Sequence, residues 1–237
     1  MTEAPRISVI IPVLNEASGI RLNLASFEKT TNVEVIVVDG GSQDETVAIA
    51  KSLGVQVLST AAGRDRQMNA GAKVATGDIL LFLHADTRLP VGFDAMVRQA
   101  LAERGTIAGA FELKIDARMR SLRLVEKMVN WRSRFLHLPY GDQAIFLKAS
   151  VFHEIGGFPH LPIMEDFEFI LRLRRLGNIT LVPASVLTSA RRWQKLGVLK
   201  TTLINQIVII GYFLGFSPSR LAKFYRTRKS VEKFSTF

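Results

Sequence analysis

The first 90 residues alternate short apolar runs with segments of helical spacing. Continuous runs rich in Val, Ile and Leu occupy residues 7–12, 33–38, 55–59 and 78–83. Such runs are typical of parallel strands that are buried on both faces of a sheet. Because helical segments separate the runs, the pattern predicts an α/β fold with a parallel sheet and right-handed crossovers.

The clearest helix start lies between the second and third apolar runs. Ser42 is placed to cap a helix and Glu45 to reach back to it, which is the capping-box pattern. Apolar residues then recur at helical spacing up to Gly54, a residue type that commonly ends helices. We therefore expect a helix that is capped by Ser42 and stops at Gly54.

The second half of the chain continues as a mixture of helices and strands. The patterns predict helices over 90–104, 118–137 and 164–176, and strands over 107–115, 144–148 and 179–183. The helix over 118–137 is basic and amphipathic. The apolar stretch 203–216 is shorter than the roughly 20 residues that a membrane span needs. Residues 226–237 are expected to form a tail.

The composition narrows the class of protein. With 48% hydrophobic and 22% charged residues over 237 positions, the chain is neither disordered nor fibrous. No cysteine is present, which excludes disulfides, thiolate zinc sites and thiol nucleophiles. The N-terminal segment lacks the basic start and long apolar middle of a signal peptide, so we expect a cytoplasmic protein.

The net charge of +10 is concentrated near the C-terminus. Residues 186–237 hold ten Lys and Arg residues against one Glu, a net +9, and the residues before them sum to +1. Such a local excess predicts a surface that meets an anionic partner. Nucleic acid is disfavoured, because no recognition motif is visible.

Contact with an anionic membrane at its inner face fits the basic segment better. The stretch 203–216 is apolar without being a span, and residues 220–228 mix cations with Leu, Phe and Tyr, as interfacial helices do. Packing of the apolar stretch 203–216 on the domain, or a homodimer contact, is equally compatible with the sequence.

Polar residues follow three of the predicted strands. Asn15 and Glu16 come after the first, Asp39 ends the second, and His84 and Asp86 follow the fourth. The carboxyl ends of parallel strands meet at one edge of the sheet, where open α/β folds bind ligands. Carboxylates gathered there repel one another unless a metal ion or a hydrogen-bonding ligand is bound. This edge is therefore the predicted site.

Motifs around these residues resemble a known family. The segments ISVIIPVLNE, VVDGGSQDET and GRDRQMNAGAKVATGDILLFLHADT resemble the nucleotide-sugar half of family 2 glycosyltransferases, which have the GT-A fold. GDQAIF, GGF and MEDFEF resemble the acceptor half, so the resemblance covers about residues 7–193. The combination of GRDRQMNAGA with LFLHADT is also similar to a bacterial subgroup labelled as arsenosugar-biosynthesis or radical-SAM-associated transferases.

The resemblance implies how the chain is organised. It implies a GT-A domain over 1–193, with a nucleotide-sugar half over 1–90 and an acceptor half over 91–193. Residues 194–237 would then form a C-terminal extension of basic and apolar amphipathic helices.

The resemblance also implies a donor site. The uridine of a UDP-sugar would be held by Pro12, Asn15, Glu16 and Asp39, with Arg64 and Asn69 closing the pocket. An ionised Asp39 suits the imide N–H and the ribose hydroxyls, because charged acceptors form the stronger hydrogen bonds. The alternatives are a turn residue at Asp39 and a solvated helix start at Arg64 and Asn69.

A divalent cation is implied at the end of the fourth strand. Asp86 matches the last Asp of the family's DxD motif, which binds Mg²⁺ or Mn²⁺ between the two phosphates. His84 stands where the first Asp normally lies. A neutral imidazole can ligate Mn²⁺ or bond the ribose, but it lacks the negative charge, and a strand-end residue bonded to backbone is an equally open interpretation.

Three further residues match the family's catalytic positions. Glu165 and Asp166 match its ED motif, and Asp166 would be the base that deprotonates the acceptor hydroxyl. Acids are also favourable at helix N-termini for structural reasons. Arg192 resembles the Arg of the QxxRW motif of processive synthases, and would stabilise the leaving diphosphate or serve as ordinary surface charge. Ser189 replaces the Gln of that motif, which argues against polymerisation.

Asp142, Gln143 and Trp193 are the expected acceptor-binding residues, with a turn as the alternative for the first two. The predicted function is thus a metal-dependent inverting glycosyltransferase that moves a sugar from a nucleotide-sugar, with a UDP-sugar preferred, to a hydroxyl acceptor. The alternative from another class is a non-catalytic nucleotide-binding scaffold that docks on a membrane or on acidic partners through its basic C-terminus.

Overall fold

The strands form one sheet at the centre of the molecule. The computed structural model describes residues 4–27 and 30–230, with side chains up to Tyr225. The strands are β1 (Ile7–Val13), β2 (Val33–Asp39), β3 (Gln56–Ser59), β4 (Ile79–Phe82), β5 (Thr87–Arg88), β6 (Thr106–Asp116), β7 (Phe146–Lys148) and β8 (Asn178–Ser189). Their order across the sheet is β3-β2-β1-β4-β7-β6-β8-β5.

The sheet is parallel through most of its width. β3, β2, β1 and β4 pair in parallel, and so do β6 and β8. Two strands run the other way: β7 lies antiparallel between β4 and β6, and β5 is antiparallel to β8 at the edge. The prediction of a mostly parallel sheet flanked by helices is confirmed. The sequence did not indicate which strands are reversed, because a short apolar run carries no information on the direction in which it will pair.

β1 and β4 are buried on both faces, as their continuous apolar runs predict, whereas β3 at the edge of the sheet is partly exposed. Every residue of β1 is buried. Val9 and Ile11 pack into the core on one face, whereas Ile10 packs into the core on the other. Successive side chains of a strand point to opposite faces, so both faces require apolar residues.

β8 is longer than the predicted strand over 179–183. The pairing with β6 shifts between Phe111, which lies opposite Val182, and Glu112, which lies opposite Ser185. Pro183 falls into this bulge, where a residue without a backbone N–H removes no ladder hydrogen bond. The strand therefore continues to Ser189 at the edge of the site.

Ten α-helices flank the sheet or follow it in the described part of the chain. They are α1 (Ala17–Leu24), α2 (Thr46–Ser52), α3 (Arg64–Val74), α4 (Phe93–Ala102), α5 (Arg120–Leu136), α6 (Ala149–Glu154), α7 (Glu165–Leu173), α8 (Arg191–Leu196), α9 (Val198–Phe213) and α10 (Pro218–Ser230). α6 was not predicted, since its six residues follow β7 without a turn signal. Residues 226–230 of the predicted tail belong to α10, and 231–237 lie outside the described residues.

The predicted capping box of α2 is wrong. The Oγ of Ser42 instead accepts a hydrogen bond from the backbone N–H of Asn15 at 2.9 Å, which ties the loop after β2 to the loop after β1. The Oδ1 of Asp44 accepts from the N–H of Thr46 at 3.0 Å, at the start of the helix. Gly54, with φ of +72°, follows the end of α2 as predicted.

None of the helices in the described residues combines the length and the apolar character needed to cross a bilayer. This agrees with the prediction that the stretch 203–216 is too short for a span. Most of that stretch lies in α9, which packs against α8 and α10.

Gly71 fixes how closely α3 approaches the sheet. A Cβ at this position would lie 2.5 Å from Cγ2 of Ile10 and 3.0 Å from Cγ2 of Val38. We expect Gly71→Ala to lower the free energy of unfolding by roughly 1–3 kcal/mol, because overpacking outweighs the better helix propensity of Ala. Urea denaturation measures the change.

Gly19 supplies a matched control within α1, because a Cβ there would meet nothing within 4 Å. Gly19→Ala should leave the stability unchanged or raise it by up to about 1 kcal/mol. An equal effect of the two substitutions would contradict the close packing of α3 on β1 and β2.

Candidate active site

Two neighbouring cavities lie at the carboxyl edge of the parallel strands. The large cavity has a volume of about 810 Å³ and is lined by residues that follow β1 and β4 and by the first turn of α3. The small cavity, of about 250 Å³, lies between the end of β8, the start of α7 and the inward face of α9. The volume of the large cavity suits a ligand of the size of a nucleotide-sugar.

A shared wall separates the two cavities. Both are lined by Arg64, His84, Asp86, Ile163, Arg192 and Tyr225. A molecule in the large cavity and a second molecule in the small cavity would therefore meet at His84 and Asp86. This arrangement suits a reaction between two substrates.

Most of the predicted site residues line these cavities. Those at the large cavity are Pro12, Glu16, Arg64, His84, Asp86, Glu165 and Arg192. Those at the small cavity are Arg64, His84, Asp86, Asp142, Asp166, Arg192 and Trp193. Asn15, Asp39, Asn69 and Gln143 line neither cavity.

Asn15 and Asp39 hold the loops together at the edge of the large cavity. The carboxylate of Asp39 accepts hydrogen bonds from the N–H groups of Gly41 at 2.9 Å and Ser42 at 3.1 Å. The Oδ1 of Asn15 accepts from the N–H of Gln43 at 2.8 Å. In this structure the carboxylate of Asp39 stabilises the turn after β2, which is the structural role given above as the alternative to ligand binding. Asn15 joins the loop after β1 to the loop after β2.

Asn69 and Gln143 also bond to backbone. Asn69 donates to the carbonyl of Phe158 and accepts from its N–H, both at 2.9 Å, which fixes the GGF loop. Gln143 is fully buried. Its Nε2 donates to the carbonyl of Phe111 at 2.9 Å, and its Oε1 accepts from the hydroxyl of Ser133 at 2.7 Å. Both amides are fully engaged, so they shape the cavity walls from behind.

His84 is held neutral at the shared wall. Burial and, to a smaller extent, the nearby Arg64 guanidinium lower the pKa of its imidazole to about 4, against the opposing effect of Asp86 and Asp166. A neutral imidazole has a free lone pair at neutral pH. His84 can therefore ligate a metal ion or accept a hydrogen bond from a sugar hydroxyl.

Asp86 faces a cation that the sequence interpretation did not select. Arg191, the first residue of α8, lies 2.7 Å from Oε2 of Glu16 and 3.7 Å from Oδ2 of Asp86. The hydrogen bond to Glu16 is the main cause that raises the pKa of Arg191 above its usual value. Arg191 thus links the loops after β1 and β4, whereas the prediction placed Arg192 in the functional role.

A divalent cation fits this wall if the donor completes its ligand shell. Within the described residues, no group of three or more His, Cys, Asp or Glu side chains is arranged to hold a metal ion. His84 and Asp86 supply one imidazole nitrogen and one carboxylate. Mg²⁺ commonly takes only one or two protein carboxylates and completes its shell with substrate phosphates and water. The residues present are compatible with such a site.

Asp166 is placed at the small cavity by the start of α7. Its Oδ2 accepts from the N–H of Gly141 at 2.8 Å and its Oδ1 from the N–H of Phe167 at 2.8 Å, which fix the orientation of the carboxylate. A Cβ on Gly141 would lie 3.0 Å from both Asp166 Oδ2 and the Nε2 of His84. The absence of a side chain at Gly141 therefore allows these two groups to lie near each other.

Backbone strain accompanies this placement. Met164, just before α7, has φ of +68°, and Ala144, just after the loop that contains Gly141, has φ of +51°. Positive φ costs a residue with a side chain on the order of 1–3 kcal/mol, and such strain is found most often at functional sites.

Glu165 is buried against Arg64 rather than open to the small cavity. Its side chain is 3% exposed, and its Oε1 lies 2.8 Å from Nε of Arg64. Burial raises the pKa of Glu165, Arg64 opposes that shift, and Asp166 adds to it. Glu165 therefore orients the Arg64 guanidinium, which itself lines both cavities.

Three buried polar atoms at the small cavity have no hydrogen-bond partner among the described residues. They are Oδ1 of Asp142, Nε of Arg192 and Nε1 of Trp193. Each unpaired buried group costs roughly 1–3 kcal/mol, so native structures rarely keep them without a ligand or water. Two unpaired donors and one unpaired acceptor on residues that line one cavity suit a ligand that carries hydroxyl groups and anionic oxygens.

The comparisons with known proteins agree with this geometry. The profile described as "Glycosyl transferase family 2" matches residues 8–158, which is more than half of the chain. The chain belongs to glycosyl transferase family 2.

Two relatives of this glycosyltransferase come from mycobacteria. A PGL/p-HBAD biosynthesis glycosyltransferase of Mycobacterium bovis (strain BCG / Pasteur 1173P2) is 30% identical over 223 residues, covering 86% of this chain and 82% of the relative. An uncharacterized glycosyltransferase of Mycobacterium tuberculosis (strain CDC 1551 / Oshkosh) is 32% identical over 187 residues, covering 73% and 70%. The narrower resemblance to arsenosugar-biosynthesis or radical-SAM-associated transferases is not supported by these comparisons.

Solved structures share the fold at low sequence identity. A mannosyltransferase of Pyrobaculum calidifontis, solved with GDP-Man and Mn²⁺, has a TM-score of 0.63 at 21% identity, covering 78% of this chain and 57% of that chain. S. aureus TarS, solved with UDP, has a TM-score of 0.61 at 19% identity, covering 78% and 60%. The glycosyltransferase thus spans less than two thirds of these two chains, and it has the expected GT-A fold.

Several cavity residues of the glycosyltransferase were not selected from its sequence. Gln67 donates to the carbonyls of Val13 at 2.9 Å and Val38 at 2.8 Å, which ties the ends of β1 and β2 together beneath the large cavity. Tyr225 of α10 lies against the Arg192 guanidinium, 4.6 Å from its ring centroid. Tyr225 is about 140 residues from Asp86 along the chain, and the only sequence signal for it was the mixture of cations and aromatics in 220–228.

The buried carboxyl of Asp142 makes stability depend on pH. Burial raises its pKa from 3.8 to about 6, with Arg132 opposing and Asp166 adding to the shift. The folded state therefore holds this proton more tightly than the unfolded state, and stability is lost as the pH rises from about 4 to about 6. We expect Asp142→Asn to stabilise the protein by about 1–2 kcal/mol at pH 7.5 and to give little gain at pH 4.

Thermal denaturation at the two pH values measures this difference. Asp116→Asn is the matched control, because the Asp116 side chain is 60% exposed. A gain for Asp142→Asn that is the same at both pH values would show that the buried charge is not its cause.

Proposed function

We propose that this glycosyltransferase moves a sugar from a nucleoside diphosphate sugar to an acceptor hydroxyl, with inversion at the anomeric carbon. The observation that carries the proposal is the shared wall, where Asp166 in the small cavity lies beside His84, and His84 beside the large cavity. A UDP-sugar is our first choice of donor. TarS was solved with UDP, but the mannosyltransferase was solved with GDP-Man, so the base must be tested.

The large cavity is the proposed donor site. Arg64 and Arg192 face it with positive charge that complements a diphosphate. Pro12 and Glu16 also line it, and the nucleoside would bind against them. His84 and Asp86 would hold Mg²⁺ or Mn²⁺, and a bound ion would screen the negative charge of the diphosphate.

The small cavity is the proposed acceptor site. Asp142 and Trp193 line it and carry an unpaired acceptor and an unpaired donor, and these groups would bond hydroxyls of the incoming molecule. Gln143 acts from behind, since its hydrogen bonds hold the loop that carries Asp142.

The proposed reaction is a direct displacement. Asp166 removes the proton of the acceptor hydroxyl while that oxygen forms a bond to the anomeric carbon. The bond between the anomeric carbon and the donor phosphate oxygen breaks, and the nucleoside diphosphate leaves with the electron pair. The Arg192 guanidinium stabilises the charge that develops on the leaving group. Attack from the side opposite to the leaving group inverts the configuration.

Other expectations remain predictions. They are the boundaries at 90 and 193, the cytoplasmic location, a homodimer and membrane contact through residues 220–228. None of them is needed for the reaction proposed here.

Titration calorimetry of UDP, GDP and CDP, with and without Mn²⁺, tests the donor site. We expect one nucleotide to bind in a metal-dependent manner and Asp86→Ala to weaken that binding at least about tenfold, because the variant lacks the carboxylate ligand of the cation. Asp116→Asn, an exposed carboxylate at the end of β6, should bind as the wild type does. Failure of every nucleotide to bind in the presence of metal would refute the donor site and with it the proposed transfer.

A kinetic comparison tests the base. With the donor identified by titration and simple hydroxyl acceptors, we expect Asp166→Asn to lower kcat by about 10²–10⁴ while the donor Kd changes little. Release of the nucleoside diphosphate is the measured quantity. Glu168→Gln is the control on the same helix, since Glu168 pairs with Arg172 and Tyr212 and lines neither cavity. Wild-type turnover by Asp166→Asn would exclude Asp166 as the base.

A further inference from the structure

α5 presents a row of large apolar side chains to solvent. Leu124, Met128, Trp131 and Phe135 recur at intervals of four, three and four residues, so they lie on one face of the helix. Their exposed fractions are 61%, 55%, 58% and 62%. The opposite face of α5 carries the buried residues of the helix. Scattered exposed apolar residues are ordinary, but a continuous row of this size marks an interaction surface.

α9 presents a second row. The exposed apolar residues of this helix are Leu199, Leu203, Ile207, Ile210 and Phe213. Their spacing again places them on one side, while the buried residues Ile204 and Val208 face the domain. The row continues past the helix with Leu214 and Phe216, which are 71% and 52% exposed.

The two rows form one surface. α5 and α9 contact each other. A groove of about 440 Å³ between them is lined by Val125, Met128 and Trp131 from α5 and by Thr202 and Gln206 from α9. We call the outward faces of the two helices, with this groove, the α5–α9 surface.

The charges at this surface are positive. Arg120, Lys127 and Arg134 recur every seven residues along one flank of the apolar row of α5. Arg134 pairs with Glu112 of the neighbouring strand. The single acid of α5, Glu126, is buried and accepts a hydrogen bond from the N–H of Ile115. The sequence of α9 contains no acid.

The apolar rows and the positive charges together indicate which partner the α5–α9 surface fits. A second copy of the chain would bring two rows of cations together, which is unfavourable without acids to pair with them. A bilayer that contains anionic lipids accepts both features at once, because its headgroups attract the cations and its acyl region takes the apolar side chains. A Trp within the row is also typical of a helix at the membrane interface.

We propose that the α5–α9 surface docks the protein on the face of an anionic lipid bilayer, without any helix crossing it. The inward face of α9 carries Asn205 and Val208, which line the small cavity. A docked bilayer would therefore lie one helix away from that cavity. The sequence interpretation based membrane contact on 203–216 and 220–228 and did not include α5.

Co-sedimentation of the full chain with vesicles tests the proposal. We expect binding to vesicles of phosphatidylcholine with phosphatidylglycerol and at least tenfold weaker binding to phosphatidylcholine alone. Leu124→Glu and Leu203→Glu should each weaken binding at least about tenfold. The matched control is Leu22→Glu on α1, because Leu22, Leu124 and Leu203 are all 61% exposed. Lys127→Glu should weaken binding about fivefold or more for the cation lost.

Trp131 supplies a spectroscopic readout of insertion. The chain has two tryptophans, so a Trp193→Phe background leaves Trp131 alone. We expect its emission to shift to the blue when anionic vesicles are added, because the ring leaves water. Thermal denaturation of each variant checks that the fold is kept.

Three outcomes would overturn the proposal. The first is that the wild type does not bind anionic vesicles. The second is that Leu22→Glu and Leu203→Glu weaken vesicle binding equally. The third is a concentration-dependent dimer that Leu124→Glu and Leu203→Glu dissociate in the absence of lipid. The last outcome would assign the α5–α9 surface to a second copy of the chain.

Discussion

The burial of β1, β2 and β4 on both faces is the constraint from which the site follows. Strands covered by helices on either side rarely carry polar side chains without a partner, because an unpaired polar group in such a core costs several kcal/mol. The buried Ser8 of β1 is accordingly hydrogen-bonded to Glu34 of β2. Polar residues are therefore displaced to the ends of the strands. Parallel pairing of β1 with β2 and with β4 brings three of these ends to one edge. The loops that follow these strands build the large cavity and hold it in place.

The chemistry of the site depends on charges that are only partly exposed to water. Glu165 holds Arg64 in a buried pair, Arg191 bridges Glu16 and Asp86, and burial keeps His84 neutral. In such surroundings each interaction is stronger than it would be in water, and each unpaired group is more costly. A bound substrate would supply hydrogen-bond partners for the unpaired atoms at the small cavity. The positive φ angles lie beside the same cavity, and such backbone strain is typical of functional sites.

α9 contributes both to the small cavity and to the α5–α9 surface. Its inward face closes the small cavity and its outward face continues the apolar row of α5. A helix that is apolar nearly all round is normally buried, and here one side remains without a partner in the described chain. This is the physical reason to expect a further contact on that side, apart from any argument about catalysis.

The sequence by itself determined the α/β class, four of the parallel strands and the edge at which the site lies, because these depend on local patterns and on where polar residues interrupt them. Most of the site residues that it selected line the two cavities. The tertiary structure decided what patterns cannot encode: the reversed direction of β5 and β7, the bulge that extends β8 past Pro183, and the loss of the Ser42 cap to Asn15. It also decided that Asp39, Asn69 and Gln143 bond to backbone. Arg191 reaches Glu16 and Asp86, and Tyr225 reaches both cavities, from distant segments of the chain. Such choices depend on contacts between residues far apart in the chain, and only the assembled fold defines those contacts.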